Sequence, residues 1–308
     1  MSAPYAIGID VGGTNVKAVA VAADGRVLAR RDAPTRDDDA ASWRHVARDL
    51  VRGLQASQGD APARWVGVAS PGIAAPDGRS IWWMIGRLDA TQGFEWRDWL
   101  GRDRDVPVFN DAQAALLGET WCGAARGAAN AVLLTLGTGV GGAILCDGRL
   151  LRGHLGRAGH LGHLSLDPDG PPDITRTPGS IEYLIGNYSL KDRTAGRFTD
   201  TRDLLAAHAA GDPRATEVWL RSVKALAAHV AGVVNAVDPA VVILGGGVAA
   251  AEDALLSPLG AYLDEFEWRP HGRQVRVVTA TLGADAGALG AAYGAILAEE
   301  HGAAGRRE

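Results

Sequence analysis

Apolar and polar positions follow one another in blocks that predict strands and helices by turns. Tyr5 to Asp10 is a short apolar run ending in a glycine turn. Val16 to Ala22 reads as a second strand, and Asp24-Gly25 as a hairpin turn before a third over Val27 to Arg31. Ser42 to Gln55 has helical spacing, with Trp43, Val46, Leu50, Val51 and Leu54 on or near one face. Trp65 to Ala69 is a strand that leads into Ser70-Pro71-Gly72. A further strand over Val106 to Phe109 precedes a helix over Ala112 to Trp121. The opening pattern then recurs: strands over Ala131 to Thr135, Gly142 to Cys146 and Arg149-Leu150, with Asp147-Gly148 at the turn, then a long helix over Thr216 to Val237 and a buried strand over Val241 to Leu244. Each half thus begins strand, glycine turn, strand, Asp-Gly turn, strand. This predicts an α/β protein of two related domains, about 1–111 and 112–289, with a last helix over about 290–308 packing back on the first, and a cleft between the two as the natural ligand site. Pro34 to Ala40 reads as an acidic exposed loop, Ser165 to Gly179 as an irregular loop or lid, and the residues after His301 as a frayed tail.

Composition narrows the function classes. The chain has 308 residues, 47% hydrophobic and 22% charged, which suits a folded protein of about two domains and not a disordered one. A formal net charge of -5 with no basic cluster gives no nucleic-acid footprint. Cys122 and Cys146 fall in no CxxC or Cys/His pattern, which fits a reducing cytoplasm. The stretch Met1 to Ala6 lacks the basic start and apolar core of a secretory signal, and no apolar run is long enough to span a bilayer, so no membrane partner is expected.

Five clusters carry candidate chemistry. In Gly8-Ile9-Asp10-Val11-Gly12-Gly13-Thr14-Asn15-Val16-Lys17 a carboxylate ends a strand and a glycine turn comes next. Glycines let backbone N–H groups approach a phosphate, and Asp10 can hold Mg²⁺ through water. The run lacks the spacing and Lys-Ser/Thr ending of a Walker A loop. Gly137, Gly139 and Gly142 satisfy GxGxxG. The next residues, Ala143-Ile144-Leu145 and Asp147-Gly148, read as strand and hairpin rather than helix, so this is a second phosphate-holding turn and not a dinucleotide fingerprint. Gly245-Gly246-Gly247, after a buried strand, is either a tight turn or a flat surface against an adenine or ribose. Asn110-Asp111 is either a helix cap or a sugar-binding Asn beside a catalytic base. Gly153 to His163 holds His154, His160 and His163, with no Cys or third ligand at a suitable spacing.

This ordered set resembles the ROK family of sugar kinases and related repressors over roughly residues 5 to 297. The resemblance implies two ribonuclease-H-like domains of the actin- and hexokinase-like ATPase type flanking a cleft, ATP and Mg²⁺ as cofactors, a small sugar as substrate, and a homodimer. It implies Asp10, Gly12, Gly13 and Thr14, with Lys17 closing the run, as the first phosphate motif. Thr138 and Gly139 form the second, and Gly245, Gly246 and Gly247 the adenosine side. Gly72 belongs to the sugar-side loop. Asn110, His160, His163 and Glu182 contact sugar, and Asp111 is the catalytic base.

Three departures from the family pattern stand out. His160 stands where the family often has Glu, which is similar to N-acetylmannosamine kinases. The stretch Pro172 to Ser180 has no Cys where many members carry CxCGxxGC, so no structural zinc is expected and His163 acts on sugar alone. Trp82-Trp83-Met84-Ile85-Gly86-Arg87-Leu88 replaces the family's sugar loop, and one of the two tryptophans is expected in the core. The expected activity is phosphoryl transfer from ATP to the 6-hydroxyl of a hexose or N-acetylhexosamine. A helix-turn-helix repressor is disfavoured because the first motif begins at Gly8. A non-catalytic sugar-binding protein and an ATP or polyphosphate phosphohydrolase remain as rivals.

Overall fold

The computed structural model describes residues 3–38 and 41–304, and in it the chain forms two compact units. The last two residues of the expected acidic loop, 39–40, and the end of the expected tail beyond Ala304 lie outside the described residues.

The first unit takes the chain up to Gly127, then Arg152–Ala158, then everything from Thr281. Its sheet is built from β1 (Tyr5–Val11), β2 (Asn15–Ala22), β3 (Val27–Pro34) and β4 (Trp65–Ser70), with a small ribbon of β5 (Ile73–Ala74) and β6 (Ile81–Trp83) beside it, and β7 (Val108–Asn110). The five main strands run in the order β3-β2-β1-β4-β7. The first three are antiparallel, as hairpin turns require, while β1, β4 and β7 are parallel. The edge strand β3 exposes Arg30, Arg31 and Asp32, charges that discourage pairing with another chain. Helix α1 (Trp43–Ala56) buries Trp43, Ala47, Leu50, Val51 and Leu54 against the sheet, the face predicted from spacing apart from Val46, which is only partly buried. Trp43 meets Phe94 edge-on at 5.2 Å and Trp96, in the short α2 (Trp96–Trp99), at 5.5 Å. Helix α3 (Asp111–Cys122) belongs to this unit, so the first unit extends beyond the expected boundary at 111/112.

The second unit, Ala128–Leu151 and Gly159–Ala280, repeats the strand order with β8 (Ala131–Leu136), β9 (Val140–Cys146), β10 (Arg149–Leu150), β11 (Val241–Gly245) and β12 (Arg276–Thr279) arranged β10-β9-β8-β11-β12. Runs such as AVLLTL and VVILG are apolar at nearly every position because these strands are covered on both faces. At Asp147-Gly148 both residues have positive φ, 48° and 74°, which the predicted two-residue hairpin turn requires. Helices α4 (Ile181–Ile185), α5 (Leu190–Arg193), α6 (Thr201–Ala209), α7 (Pro213–Val237) and α8 (Asp253–Phe266) complete the unit. Helix α7 starts three residues earlier than predicted, because the Asp212 side chain caps it by accepting from the Ala215 N–H and Pro213 opens its first turn. Pro172 pairs in an isolated bridge with Pro178, and Ser165 with Ser180, so the predicted irregular loop is a folded excursion.

Helix α9 (Ala286–Ala304) returns to the first unit. It lies so close to β1, β4 and α3 that side chains are excluded. A Cβ on Gly8 would stand 1.8 Å from the Ala288 carbonyl oxygen, one on Gly67 2.1 Å from that of Ala291, and one on Gly290 1.6 Å from that of Ala114. The buried Glu119 carboxylate accepts the N–H groups of Thr281 and Leu282, each at 2.9 Å, and fixes the segment entering this helix. Among the described residues, no helix is long and apolar enough to cross a membrane.

Candidate active site

In the first unit the site residues gather at the carboxyl ends of the three parallel strands, where open α/β sheets bind ligands. Register puts Asp10 beside Ala69, and Ser70 beside Asn110, so β1, β4 and β7 end side by side. Asp10 also pairs with Lys17 on β2, and the Lys17 ammonium donates to the Ala284 carbonyl at 3.2 Å. Gly12, Gly13 and Thr14 form the connection from β1 to β2. It is closed by the Gly12 N–H on the Asn15 carbonyl at 3.1 Å and by the Thr35 hydroxyl on the Gly12 carbonyl at 2.6 Å.

The two aspartates are electrostatically linked. Burial pushes the Asp10 carboxyl up to about 7; the nearby Asp111 charge adds to this and Lys17 opposes it. Asp111 is an exposed residue whose carboxylate is crowded by surrounding protein. This desolvation raises its pKa against the opposing hydrogen bonds from the Ala112 N–H, the Asn110 side chain and its own N–H. Asn110 caps α3: its Oδ1 accepts from the Ala112 N–H at 2.9 Å, and its own N–H donates to Gln113 at 3.3 Å. Its Nδ2 donates to the Gly72 carbonyl at 2.8 Å. The capping and site readings of Asn110 are therefore compatible, since the cap fixes where Asp111 begins the helix. Gly72 has φ 102°, and a Cβ there would strike Ile81 and the Trp83 carbonyl at 2.7 Å.

The second unit carries a second strand-end cluster. Leu136 pairs with Val140 across the turn Gly137-Thr138-Gly139, and strand β9 comes directly after it, as expected for a turn that is not a dinucleotide fingerprint. Gly245 pairs with Thr135, which brings the triple glycine next to this turn. Gly246 has φ 85°, and a Cβ there would lie 2.3 Å from the Leu136 carbonyl oxygen. Gly142, the last glycine of GxGxxG, faces the Gly159 carbonyl and Leu161, so it serves packing and not phosphate. Glu182, in the first turn of α4, accepts the Val140 N–H at 3.0 Å through Oε2, while its buried Oε1 has no partner among the described residues. Burial raises its pKa; the Val140 N–H and His163 oppose this, and Asp173 adds to it. Gly139 is a glycine because a Cβ would sit 2.5 Å from Glu182 Oε2. His163 is half-buried beside Asp173, and the half-buried His160 is pushed to lower pKa by burial and by His163.

Two expectations need correction. Neither Trp82 nor Trp83 is in the core: they are 41% and 39% exposed, and Trp82 Nε1 donates to the Leu155 carbonyl at 2.9 Å. The ribbon that carries them is too narrow to have a buried face for both. The segment Arg152–Ala158 groups with the first unit and not with the strands before it, with the Arg152 guanidinium 5.4 Å from the centre of the Phe109 ring. Sequence reasoning also missed Gly287. A Cβ there would fall 2.7 Å from Asp10 Oδ2, so the N-terminal turn of α9 approaches the Asp10 carboxylate. The glycine-rich run Gly283 to Gly290 was its only signal. Asp173, which no motif singles out, is the other missed member.

A model of the ROK family matches residues 6–298. The chain belongs to the ROK family. It is 34% identical to the glucokinase of Thermotoga maritima, over 93% of this chain and 95% of that one. It is 32% identical to the N-acetylmannosamine kinase of Escherichia coli O157:H7, over 93% and 96%. A solved ROK family glucokinase from Streptomyces griseus, in complex with glucose and AMPPNP, matches with a TM-score of 0.74 at 25% identity, over 95% of this chain and 99% of that one.

Proposed function

We propose that this ROK protein is an ATP-dependent sugar kinase, built of two ribonuclease-H-like domains, that phosphorylates the 6-hydroxyl of a hexose or N-acetylhexosamine. The observation that carries the reading is the Asp111 carboxylate, held at the first position of a capped helix where the strands that carry Asp10 and Asn110 end side by side. Kinase relatives with either substrate support it.

Asp111 accepts the proton of the sugar hydroxyl as that oxygen attacks the γ-phosphorus of ATP, and the bond to the β–γ bridging oxygen breaks. Its raised pKa brings it closer to the range in which a base is effective, and such a base contributes about 10²–10⁴ in rate. The backbone of Gly12, Gly13 and Thr14, with Lys17, and that of Thr138 and Gly139 hold phosphates, and Gly245 to Gly247 lie flat against the adenosine. Gly72, Asn110, His160, His163 and Glu182 bind the sugar. Asp10 suits Mg²⁺: a desolvated carboxylate beside a second carboxylate is relieved by a cation, and the ion would neutralise phosphate charge. Catalysis is then mostly positioning.

The test is ADP release with Mg-ATP across glucose, mannose, fructose, N-acetylglucosamine, N-acetylmannosamine and no sugar. Turnover with one sugar is expected, and a preference for N-acetylmannosamine would match His160 standing in place of Glu. ADP release that needs no sugar would replace this reading with a phosphohydrolase. Sugar binding without turnover would replace it with a sensor.

A further inference from the structure

The loop after His163 folds around one carboxylate. Asp173 has a side chain with no solvent exposure. Its Oδ1 accepts three donors: the Thr175 N–H at 2.8 Å, the Thr175 hydroxyl at 2.8 Å and the Thr177 N–H at 2.9 Å. Its Oδ2 lies 2.8 Å from His163 Nδ1. Burial alone would raise its pKa, but the hydrogen bonds from His163, the Thr177 N–H, Thr175 and Ser180 bring it down to about 2. The carboxylate therefore stays ionised at any pH where the protein works, and an ionised carboxylate only accepts. The hydrogen between it and the imidazole must belong to Nδ1. In the neutral ring the lone pair is then on Nε2.

Glu182, close to both, is an acceptor as well. One ligand atom from each of His163, Asp173 and Glu182 lies within 4.8 Å of the others, and the buried Glu182 Oε1 has no donor among the described residues. We propose that Asp173 is a positioning residue that fixes the His163 ring with its hydrogen on Nδ1, so that Nε2 and Glu182 Oε1 together form an acceptor-only face that selects hydroxyl donors of a polyol. A cation shared by Nδ1 and Asp173 Oδ2 would require Nδ1 to give up its hydrogen. The consequence for sugar rests on the kinase reading; the state of the ring does not.

Long-range proton–nitrogen spectra of protein labelled with ¹⁵N-histidine, with His163 assigned through His163→Gln, read the tautomer directly. Wild type is expected to carry hydrogen on Nδ1. In Asp173→Asn the amide oxygen can keep the loop donors and turn its NH₂ toward the ring, which moves the hydrogen to Nε2. The KM for sugar is then expected to rise about tenfold, the cost of one misplaced hydrogen bond, with kcat and the KM for ATP within about twofold. Within a His163→Gln background the same substitution should have little further effect on sugar KM. An Nε2–H ring in wild type overturns the proposal, and that spectrum decides even if Asp173→Asn fails to fold. So does a sugar KM unmoved by a switched tautomer. A transition metal bound to the purified protein through His163 Nδ1 also overturns it, since Nδ1 would then carry no hydrogen. If no sugar is turned over, the kinase reading fails while the spectrum still judges the role of Asp173.

Discussion

His229 sets a pH limit on the second unit. It lies within the buried stretch of α7, is 1% exposed, and neither ring nitrogen has a partner among the described residues. Burial alone drives its pKa from 6.5 down to about 4. The folded state thus refuses a proton that the unfolded chain binds. The stability His229 permits is fully present above pH 6.5 and is lost as pH falls toward 4. The whole shift corresponds to about 3 kcal/mol, and about 2 kcal/mol of it is lost by pH 5. His229→Leu replaces the ring with an apolar side chain of similar size and removes this term. Urea unfolding of both proteins, followed by helix circular dichroism at pH 8 and pH 5, isolates it, because every other titrating group cancels in the difference. The stability of the variant relative to wild type should increase by about 2 kcal/mol between the two pH values. A difference that stays constant within about 0.5 kcal/mol would refute the reasoning and mean that His229 finds a partner or water in solution.

Other substitutions probe the site and its support. Asp111→Asn should lower kcat by about 10²–10⁴ with nucleotide affinity nearly unchanged in calorimetry, and full activity would remove Asp111 from the chemistry. Gly139→Ala places a Cβ 2.5 Å from Glu182 Oε2 and should raise the KM for sugar more than that for ATP; the opposite split would assign this turn to phosphate alone. Gly8→Ala forces a Cβ to within 1.8 Å of the Ala288 carbonyl and should cost more than about 3 kcal/mol in denaturant unfolding, since strand and helix backbones must separate. A loss below about 1 kcal/mol would show that α9 can move away cheaply.

Much of this was legible in one sequence. The strand periodicity, the Asp-Gly hairpins and the apolar runs located nine of the ten main sheet strands, because each depends on residues close in the chain. The glycine turn after the first strand of each unit, Asp10 and Asp111 were legible for the same reason: a carboxylate or glycine at a strand end is a local pattern. The edge strand β12, with partly exposed residues, and helix α8, with Pro258 inside it, gave weaker local signals and were not predicted. Tertiary structure alone showed which motif glycines are required by packing. Gly142 and Gly8 look like motif glycines, yet each is required by a backbone that returns from further along the chain to within a Cβ's radius. It alone assigned α3 and Arg152–Ala158 to the first unit, because unit membership comes from contacts and not from order. It alone joined Asp173 to His163, ten residues apart in an irregular loop whose path no periodicity describes. Local spacing determines an element and its class of chemistry only as far as neighbouring side chains reach; the direction of a lone pair depends on which distant donor or acceptor the fold brings against it.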